Sequence, residues 1–247
     1  MTKKTDHRKE KLKRLSGFEK PSIRRGNYIF YTHYFKDLKA IFDTHIADGD
    51  NVFDIGCGNK PYENYIQGII KQGVYKGCDV VQSSENKVDI LCEATNIPEP
   101  SEQYDVVICT QVIEHVFDHS KVFEEAYRLL KPGGRFIVSS NFIWEIHEAP
   151  YDFYRFTDEC FKTLLTNAGF DIKESKANGG KWAVLGQLIL LILSSKQTSK
   201  NRFFRALRYG FVGGMTVLCN LIFMWLDKKF QDANHYTLNY IFVGQKK

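Results

Sequence analysis

The chain has 247 residues and a net charge of +5, and 43% of its residues are hydrophobic. This length suits one large α/β domain with a sizeable buried core, and the mild positive charge gives no reason to expect nucleic acid as a partner. The cysteines form no C-x-x-C pair and no metal-ligand spacing, and the first residues contain no apolar signal-peptide core. We therefore expect free thiols, no bound metal and a reducing, cytoplasmic location. The six cysteines are Cys57, Cys78, Cys92, Cys109, Cys160 and Cys219.

The chain begins with a segment rich in Lys and Arg, residues 1–20. This composition predicts a solvated basic tail, with a surface-binding arm as the alternative. Residues 21–247 are predicted to form one domain. Aromatic residues from Tyr28 to Phe35, continued at helical spacing to Phe42, predict a helix that packs through this stripe.

Asn51 to Ile55 predict a short buried strand, and the two glycines that follow allow a sharp turn. A helix is predicted from Tyr62 to Lys71, so the segment reads as strand, glycine turn and helix. That arrangement forms nucleotide-type cofactor sites at the carboxyl end of a parallel strand. Asp54 would repel a pyrophosphate there but would favour a ligand with an ammonium group, such as S-adenosylmethionine. Pro61 departs from the dinucleotide fingerprint, which requires glycine or alanine at that position.

Asp54-x-Gly56-x-Gly58 resembles the first motif of class I S-adenosylmethionine-dependent methyltransferases. The family pattern has a third glycine where this sequence has Lys60. The resemblance implies a Rossmann-like fold and places Asp54, Gly56, Cys57 and Gly58 at the cofactor.

The second predicted strand, Val74 to Asp79, ends in an acidic residue that lies 21 residues past Gly58. At about this separation, α/β cofactor folds place a carboxylate that accepts hydrogen bonds from ribose hydroxyls. The alternative is a turn aspartate before an exposed loop. Val88 to Cys92 predict a third strand. The family resemblance then places Glu93 and Ala94 beside the adenine.

Tyr104 to Cys109 predict a fourth strand, which leads into the polar turn Thr110-Gln-Val-Ile-Glu-His115. Tyr-Asp-Val-Val followed by such a turn and a Glu-His pair is frequent in the resembled family, and it places Thr110 and Gln111 at the cofactor. Glu114 and His115 are a base or metal pair in one interpretation. In the other, they begin a helix and orient the loop beneath the cofactor.

The rest of the pattern alternates helices and strands. Ser120 is predicted to cap a helix through Leu130, Lys131 to Gly134 to end it, and Arg135 to Ser139 to form the fifth strand. The alternation predicts a mostly parallel seven-stranded sheet with helices on both faces. The last two strands, usually an antiparallel hairpin in the resembled family, are predicted at residues 170–175 and 236–243.

The loop after the fifth strand, Asn141 to Phe156, carries the candidate catalytic residues. A hydroxyl acceptor benefits from a general base, for which His147 is the first candidate and Asp152 the second. Arg155 is a candidate for holding an anionic acceptor group. Alternatively, all three side chains only pin the loop. The run Glu-Ala-Pro-Tyr-Asp-Phe-Tyr-Arg-Phe-Thr resembles a subgroup of bacterial methyltransferases associated with surface-glycan synthesis, and its Thr157 is predicted to cap the next helix.

Roughly sixty residues separate the last two predicted strands, far more than a hairpin loop needs. We predict a helical, apolar insertion at about residues 177–233. It has two uncharged runs, 182–195 and 209–226, of which the second approaches the length of a membrane span. The apolar residues of these runs must be covered, and three alternatives are open: packing within the domain, a dimer contact, or association with an anionic membrane surface. The connector between them carries Lys196, Lys200, Arg202, Arg205 and Arg208.

These features predict an S-adenosylmethionine-dependent methyltransferase that acts at oxygen on a small-molecule or glycan-like acceptor. If the enzyme associates with a membrane, the acceptor would be lipid-linked. Its predicted location is cytoplasmic or peripheral at the inner face of the membrane, and its oligomeric state is left open. One alternative is a catalytically silent scaffold that only binds the cofactor. The other, disfavoured by Asp54 and Pro61, is an NAD-dependent oxidoreductase.

Overall fold

The structure is a computed structural model that describes residues 21–194, 202–230, 232 and 235–247, with only the backbone for 202–211. The predicted basic tail, together with Lys196 and Lys200 of the predicted connector, lies outside the described residues.

Seven strands form one sheet in the order β3-β2-β1-β4-β5-β7-β6. The first five strands pair in parallel, whereas β7 is antiparallel to both β5 and β6. The predicted α/β, mostly parallel sheet with an antiparallel final pair is therefore confirmed. The strands are β1 Val52–Ile55, β2 Tyr75–Asp79, β3 Ile90–Leu91, β4 Tyr104–Thr110, β5 Leu130–Asn141, β6 Phe170–Asn178 and β7 Asn239–Lys246.

Helices cover both faces of the sheet. One apolar cluster joins alternate strand residues such as Val52 and Ile108 to α1, α2, α5 and α6, and the other joins residues such as Phe53 and Val107 to α3 and α4. Because β1 is buried on both faces, it reads as a continuous apolar run interrupted only by Asp54. The helices are α1 Tyr28–His45, α2 Glu63–Ile70, α3 His119–Leu129, α4 Asp158–Asn167, α5 Lys181–Ser194 and α6 Arg202–Lys229.

Several predicted boundaries were wrong, and tertiary pairing explains them. The Lys-Pro-Gly-Gly segment does not interrupt β5, because a register shift opposite Tyr104 and Val106 takes up the extra residues. Residue Ser120 is not the cap of α3, whose N-cap position is Asp118 without a side-chain cap. The predicted cap of α4 is confirmed, because the Thr157 hydroxyl accepts a hydrogen bond from the Cys160 amide at 3.2 Å.

Helices α5 and α6 lie between β6 and β7 and attach to the start of the domain through buried polar side chains. Gln187 of α5 accepts from the Phe30 amide at 3.1 Å and donates to the Gly26 carbonyl at 2.7 Å. The first bond satisfies an amide in the first turn of α1, which has no side-chain cap of its own. Asp227 of α6 accepts from the Ala183 amide at 3.0 Å. These bonds specify how both helices dock.

Within the described residues, no helix is both long and apolar enough to cross a bilayer.

Candidate cofactor and acceptor site

The turn after β1 takes backbone conformations that favour glycine. Gly56 has φ +74° and Gly58 has φ +51°, and a Cβ atom at Gly56 would collide with the Val112 side chain. Lys60, which stands where the resembled family has its third glycine, also lies in the left-handed region at φ +50°. The departure from the family pattern therefore changes the side chain at this position, while the backbone keeps a glycine-like conformation.

The Lys60 side chain is only 4% exposed and turns under the adjacent strand. Its Nζ atom lies 2.6 Å from Asp89 Oδ2, and the same carboxylate accepts from the Gly77 amide at 2.7 Å. Sequence analysis did not identify Asp89, because nothing near it in the chain indicates a buried lysine partner. This ion pair ties the glycine turn to the loop before β3.

Asp54 and Cys57 are both buried at this turn. Burial raises the pKa of Asp54 to about 7, although the carboxylate accepts a hydrogen bond from the Tyr75 hydroxyl at 2.5 Å. Cys57 packs against Gly77, where a Cβ atom would collide with it, and burial raises the pKa of its thiol. The Cys57 side chain therefore packs behind the turn, and any ligand contact there falls to the backbone.

The Asp79 carboxylate closes β2 and holds the glycine turn. It accepts from the Gly58 amide at 3.1 Å and from the Val81 amide at 3.2 Å. The loop after β3 is attached to the same residue, since the Cys92 amide donates to the Asp79 carbonyl at 3.1 Å. Beyond it, Glu93 is exposed and Ala94 is buried. The predicted ribose and adenine residues thus lie along one edge with the glycine turn.

Thr110 and Gln111 lie at the end of β4. The Thr110 hydroxyl donates to the Tyr62 hydroxyl at 3.3 Å. Gln111 has φ +57°, and its amide nitrogen donates to Asn239 Oδ1 at 2.7 Å and to Ser139 Oγ at 3.1 Å. The Gln111 side chain therefore joins the ends of β4, β5 and β7.

The loop between β5 and α4 is held by Arg155 and Asp152. The guanidinium donates to both carboxylate oxygens, at 2.6 and 2.8 Å, and the His147 amide donates to Asp152 at 2.8 Å. Burial opposes ionisation of Asp152, but these donors hold its pKa at about 2. Two further Arg155 bonds go to the Tyr154 and Glu145 carbonyls. The pair thus organises the loop.

His147 lies beside the turn after β4. Its ring is 4.8 Å from the His115 ring between centroids, and its Nε2 atom is 3.4 Å from the Asn141 amide nitrogen. The same Asn141 nitrogen donates to Glu114 at 3.0 Å. Glu114 is fully buried, which raises the pKa of its carboxyl. Sequence analysis named Glu114 and His115 as a pair, but it did not associate them with His147 or Asn141.

The outer side of the loop between β5 and α4 is aromatic. Trp144 packs on Phe30 of α1 at 4.6 Å between ring centroids, so α1 covers the start of the loop. The loop itself lines a pocket beside Asp152 and Arg155, with further walls from Trp144, Ile146, Phe153 and Tyr154.

Comparisons with known proteins agree with this architecture. Residues 53–138 match a family model described as a methyltransferase domain. A probable S-adenosylmethionine-dependent methyltransferase of Mycolicibacterium smegmatis is 30% identical over 128 residues, which cover 49% of this chain and 48% of that protein. A ubiquinone biosynthesis O-methyltransferase of Pseudomonas savastanoi pv. phaseolicola is 33% identical over 103 residues, covering 37% and 44%. The chain spans about half the length of the curated relatives it matches.

Among solved structures, geranyl diphosphate C-methyltransferase from Streptomyces coelicolor A3(2) aligns with a TM-score of 0.57. The alignment covers 100% of this chain and 98% of that protein at 9% sequence identity, so it demonstrates a shared fold.

The strand order is that of a Rossmann-like α/β protein. The glycine turn after β1 and the acidic residue that ends β2 form a nucleotide-type cofactor edge. Together with the match over residues 53–138, they make this region similar to class I S-adenosylmethionine-dependent methyltransferase domains.

The buried Asp54 makes stability depend on pH. A raised pKa means that the native state holds a proton that the unfolded chain loses near pH 4. Protonated Asp54 therefore adds to the free energy of unfolding. This stabilisation is complete below about pH 4 and is lost as pH rises through about 7, and it amounts to something on the order of 4 kcal/mol. We therefore compare the free energies of unfolding of Asp54→Asn and wild type, measured with urea and without ligand. We expect the difference, variant minus wild type, to be more positive at pH 8 than at pH 5. Asp118→Asn changes an exposed carboxylate and is the control, for which the same difference is expected at both pH values. An equal difference at both pH values for Asp54→Asn would contradict a raised pKa for Asp54.

Proposed function

We propose that the protein is an S-adenosylmethionine-dependent methyltransferase that acts at oxygen on a small-molecule or glycan-like acceptor. The observation that carries the proposal is the position of two features at one edge of the sheet. The glycine turn and Asp79 follow β1 and β2, and the loop with His147 and Arg155 follows β5. In open α/β folds, ligands bind beyond the carboxyl ends of the strands, where a cofactor edge and an acceptor loop would both lie.

The residues at the cofactor edge fit this ligand. Gly56 and Gly58 allow the sharp turn that ends β1, and the Asp79 carboxylate provides acceptors for ribose hydroxyls. Glu93 and Ala94 follow beside it, in the place that the resemblance assigns to adenine. When bound, S-adenosylmethionine supplies a methyl group on a sulfonium centre that is already a good leaving group. The protein then has to orient the acceptor and exclude water.

His147 is the proposed general base, taking the acceptor's hydroxyl proton at Nε2. Its backbone is fixed by Asp152, whose low pKa and tight pairing with Arg155 suit a positioning role better than proton transfer. Arg155 donates hydrogen bonds to Asp152 and to the Tyr154 and Glu145 carbonyls, and its Nη2 atom also lies 3.4 Å from His147 Nδ1, so its support for an anionic acceptor group is weaker than the sequence suggested. The aromatic walls suit an acceptor with an apolar or sugar-ring face.

Cofactor binding is tested by changing Asp79. Asp79→Ala should weaken S-adenosylhomocysteine binding by about 10- to 100-fold in calorimetry, since charge-assisted hydrogen bonds contribute about 1.5–3 kcal/mol each. Asp79→Asn keeps an oxygen for the Gly58 amide and should lose less. NAD should not bind, and this result would distinguish the methyltransferase from the NAD-dependent oxidoreductase. Unchanged affinity in Asp79→Ala would remove this residue from the site.

Turnover is tested by methyl transfer from labelled cofactor into cell-extract fractions separated into lipid, glycan, protein and RNA. We expect label in the lipid or glycan fraction. His147→Ala should lower the rate about 100-fold with near-normal cofactor affinity. His235→Ala, at a largely exposed histidine, is the matched control and should keep full activity. Cofactor binding without label in any fraction would instead support the silent scaffold.

We further propose that the insertion associates peripherally with an anionic membrane surface. Helices α5 and α6 present outward apolar side chains, of which Ile192 is 72% and Trp225 is 57% exposed. Large exposed apolar surfaces are typical of contact sites for a partner or a lipid interface. The predicted basic connector favours lipid, since each Lys or Arg near such a surface contributes about 1 kcal/mol. The other exposed members are Leu185, Leu188, Leu218, Leu221 and Ile222.

The membrane proposal is tested by sedimentation with anionic vesicles. Wild type should pellet at low salt, and the pelleted fraction should fall sharply in Ile192→Ser/Trp225→Ser and in a variant with the five connector residues changed to Gln. Leu91→Ser, at an apolar residue 59% exposed on the sheet edge, should pellet like wild type. A wild-type chain that stays in solution and sediments as a dimer would assign the surface to a second copy.

A further inference from the structure

Three potential metal ligands meet at the carboxyl edge of β4 and β5. Glu114 and His115 come from the turn after β4 and His147 from the loop after β5, and one ligand atom of each lies within 4.8 Å of the others. We propose that these side chains bind a divalent transition-metal ion of the Zn²⁺ type. The spacing of residues along the chain predicted no metal, because the third ligand is 32 positions away from the second.

The His115 imidazole is oriented as metal-bound imidazoles usually are. His115 Nδ1 lies 2.8 Å from the Tyr151 carbonyl, which can only accept, so Nδ1 carries the hydrogen and Nε2 keeps its lone pair. His147 Nδ1 lies 3.3 Å from both the Glu145 carbonyl and Asp152 Oδ2 and 3.4 Å from Arg155 Nη2, so acceptors and a donor together hold that ring in place. Carbonyl and carboxylate partners of this kind fix the ring and tautomer of metal-ligating histidines.

Two buried oxygens at the same place have no hydrogen-bond partner. Glu114 is fully buried, and its Oε1 atom accepts from Asn141, while Oε2 has no partner at normal hydrogen-bond geometry although the Ser140 side chain interacts with the carboxyl group. Asn141 is 3% exposed, and its Oδ1 atom also lacks a partner. A buried polar atom without a partner is costly and therefore uncommon in folded proteins. A cation between Glu114 and the histidines would satisfy the carboxylate, and a turned Asn141 amide would offer its oxygen as well.

Charge and ligand type favour a transition metal. The nearby Arg155 guanidinium is paired with Asp152 through two hydrogen bonds, which leaves the Glu114 carboxyl available to a cation. Two imidazoles and one carboxylate suit Zn²⁺ and leave a fourth position open. Mg²⁺ and Ca²⁺ prefer sets made of oxygen atoms.

The consequence for catalysis rests on the proposed methyltransferase function. Gly56 of the cofactor turn lies against Val112, two residues before Glu114, so the cluster borders the cofactor edge. An acceptor hydroxyl in the open position would have its pKa lowered by the metal and would release its proton to water. Its oxygen would then form the O–C bond to the methyl group while the C–S electron pair remains on sulfur. With the metal bound, His147 acts as a ligand and water accepts the proton; without it, His147 Nε2 keeps the general-base role proposed above.

The test measures metal binding directly, on tag-free full chain that has been treated with chelator and dialysed. Zn²⁺ is titrated by calorimetry and Co²⁺ by visible absorption. We expect one ion per chain, with a tetrahedral Co²⁺ spectrum. Glu114→Gln and His147→Ala should each weaken Zn²⁺ binding by more than about 10-fold. Loss of a residue that only orients a metal ligand already weakens binding by about 10-fold or more, and loss of a ligand itself should cost at least as much. His45→Ala, which removes an imidazole paired with Glu174 elsewhere, should bind like wild type.

A wild-type chain that takes up less than one Zn²⁺, or a folded His147→Ala chain that binds Zn²⁺ as wild type does, would overturn the proposal. Because His147 lies on a loop, this variant keeps the test decisive if Glu114→Gln fails to fold. S-adenosylhomocysteine binding, measured on the same metal-free protein, separates the two proposals. Cofactor binding without metal binding defeats only the metal site, and metal binding without cofactor binding defeats only the methyltransferase.

Discussion

The parallel pairing of β1, β2, β4 and β5 is the constraint on which the candidate site depends. Parallel strands end at the same edge of the sheet, so the segments that follow them meet there although they are far apart in the chain. The glycine turn follows β1, Asp79 ends β2, Glu114 follows β4 and His147 follows β5. If β4 were antiparallel, Glu114 would lie at the opposite edge. The antiparallel β7 lies beyond this group and leaves the arrangement intact.

Buried charge is concentrated at this edge. Asp54 and Lys60 lie under the glycine turn, and Glu114 lies under the acceptor loop, where water cannot stabilise the ionised forms. Each has a different compensation. Asp54 has the Tyr75 hydroxyl and a raised pKa, and Lys60 has Asp89. Glu114 has the Asn141 amide and the Ser140 side chain as partners, and burial raises the pKa of its carboxyl.

The insertion combines a specific interior with an apolar exterior. Gln187, Asn220 and Asp227 are buried and bond to backbone groups of the first helix region and of α5. Such bonds are costly to break in a buried site, so they hold the helices in one arrangement. The same arrangement directs Ile192 and Trp225 outward. The docking of the helices therefore decides which apolar residues pack in the core and which remain available to a membrane or a partner.

The sequence by itself determined the features that depend on neighbours in the chain. Apolar runs bounded by turn residues predicted the strands and their order, glycines predicted the sharp turn, and Thr157 predicted a cap, because each follows from local backbone chemistry. Only the tertiary structure decided the continuation of β5 through its glycines, the Lys60–Asp89 pair and the meeting of Glu114 with His147. These contacts join residues from different loops, and no local pattern records the sheet geometry that brings such loops together.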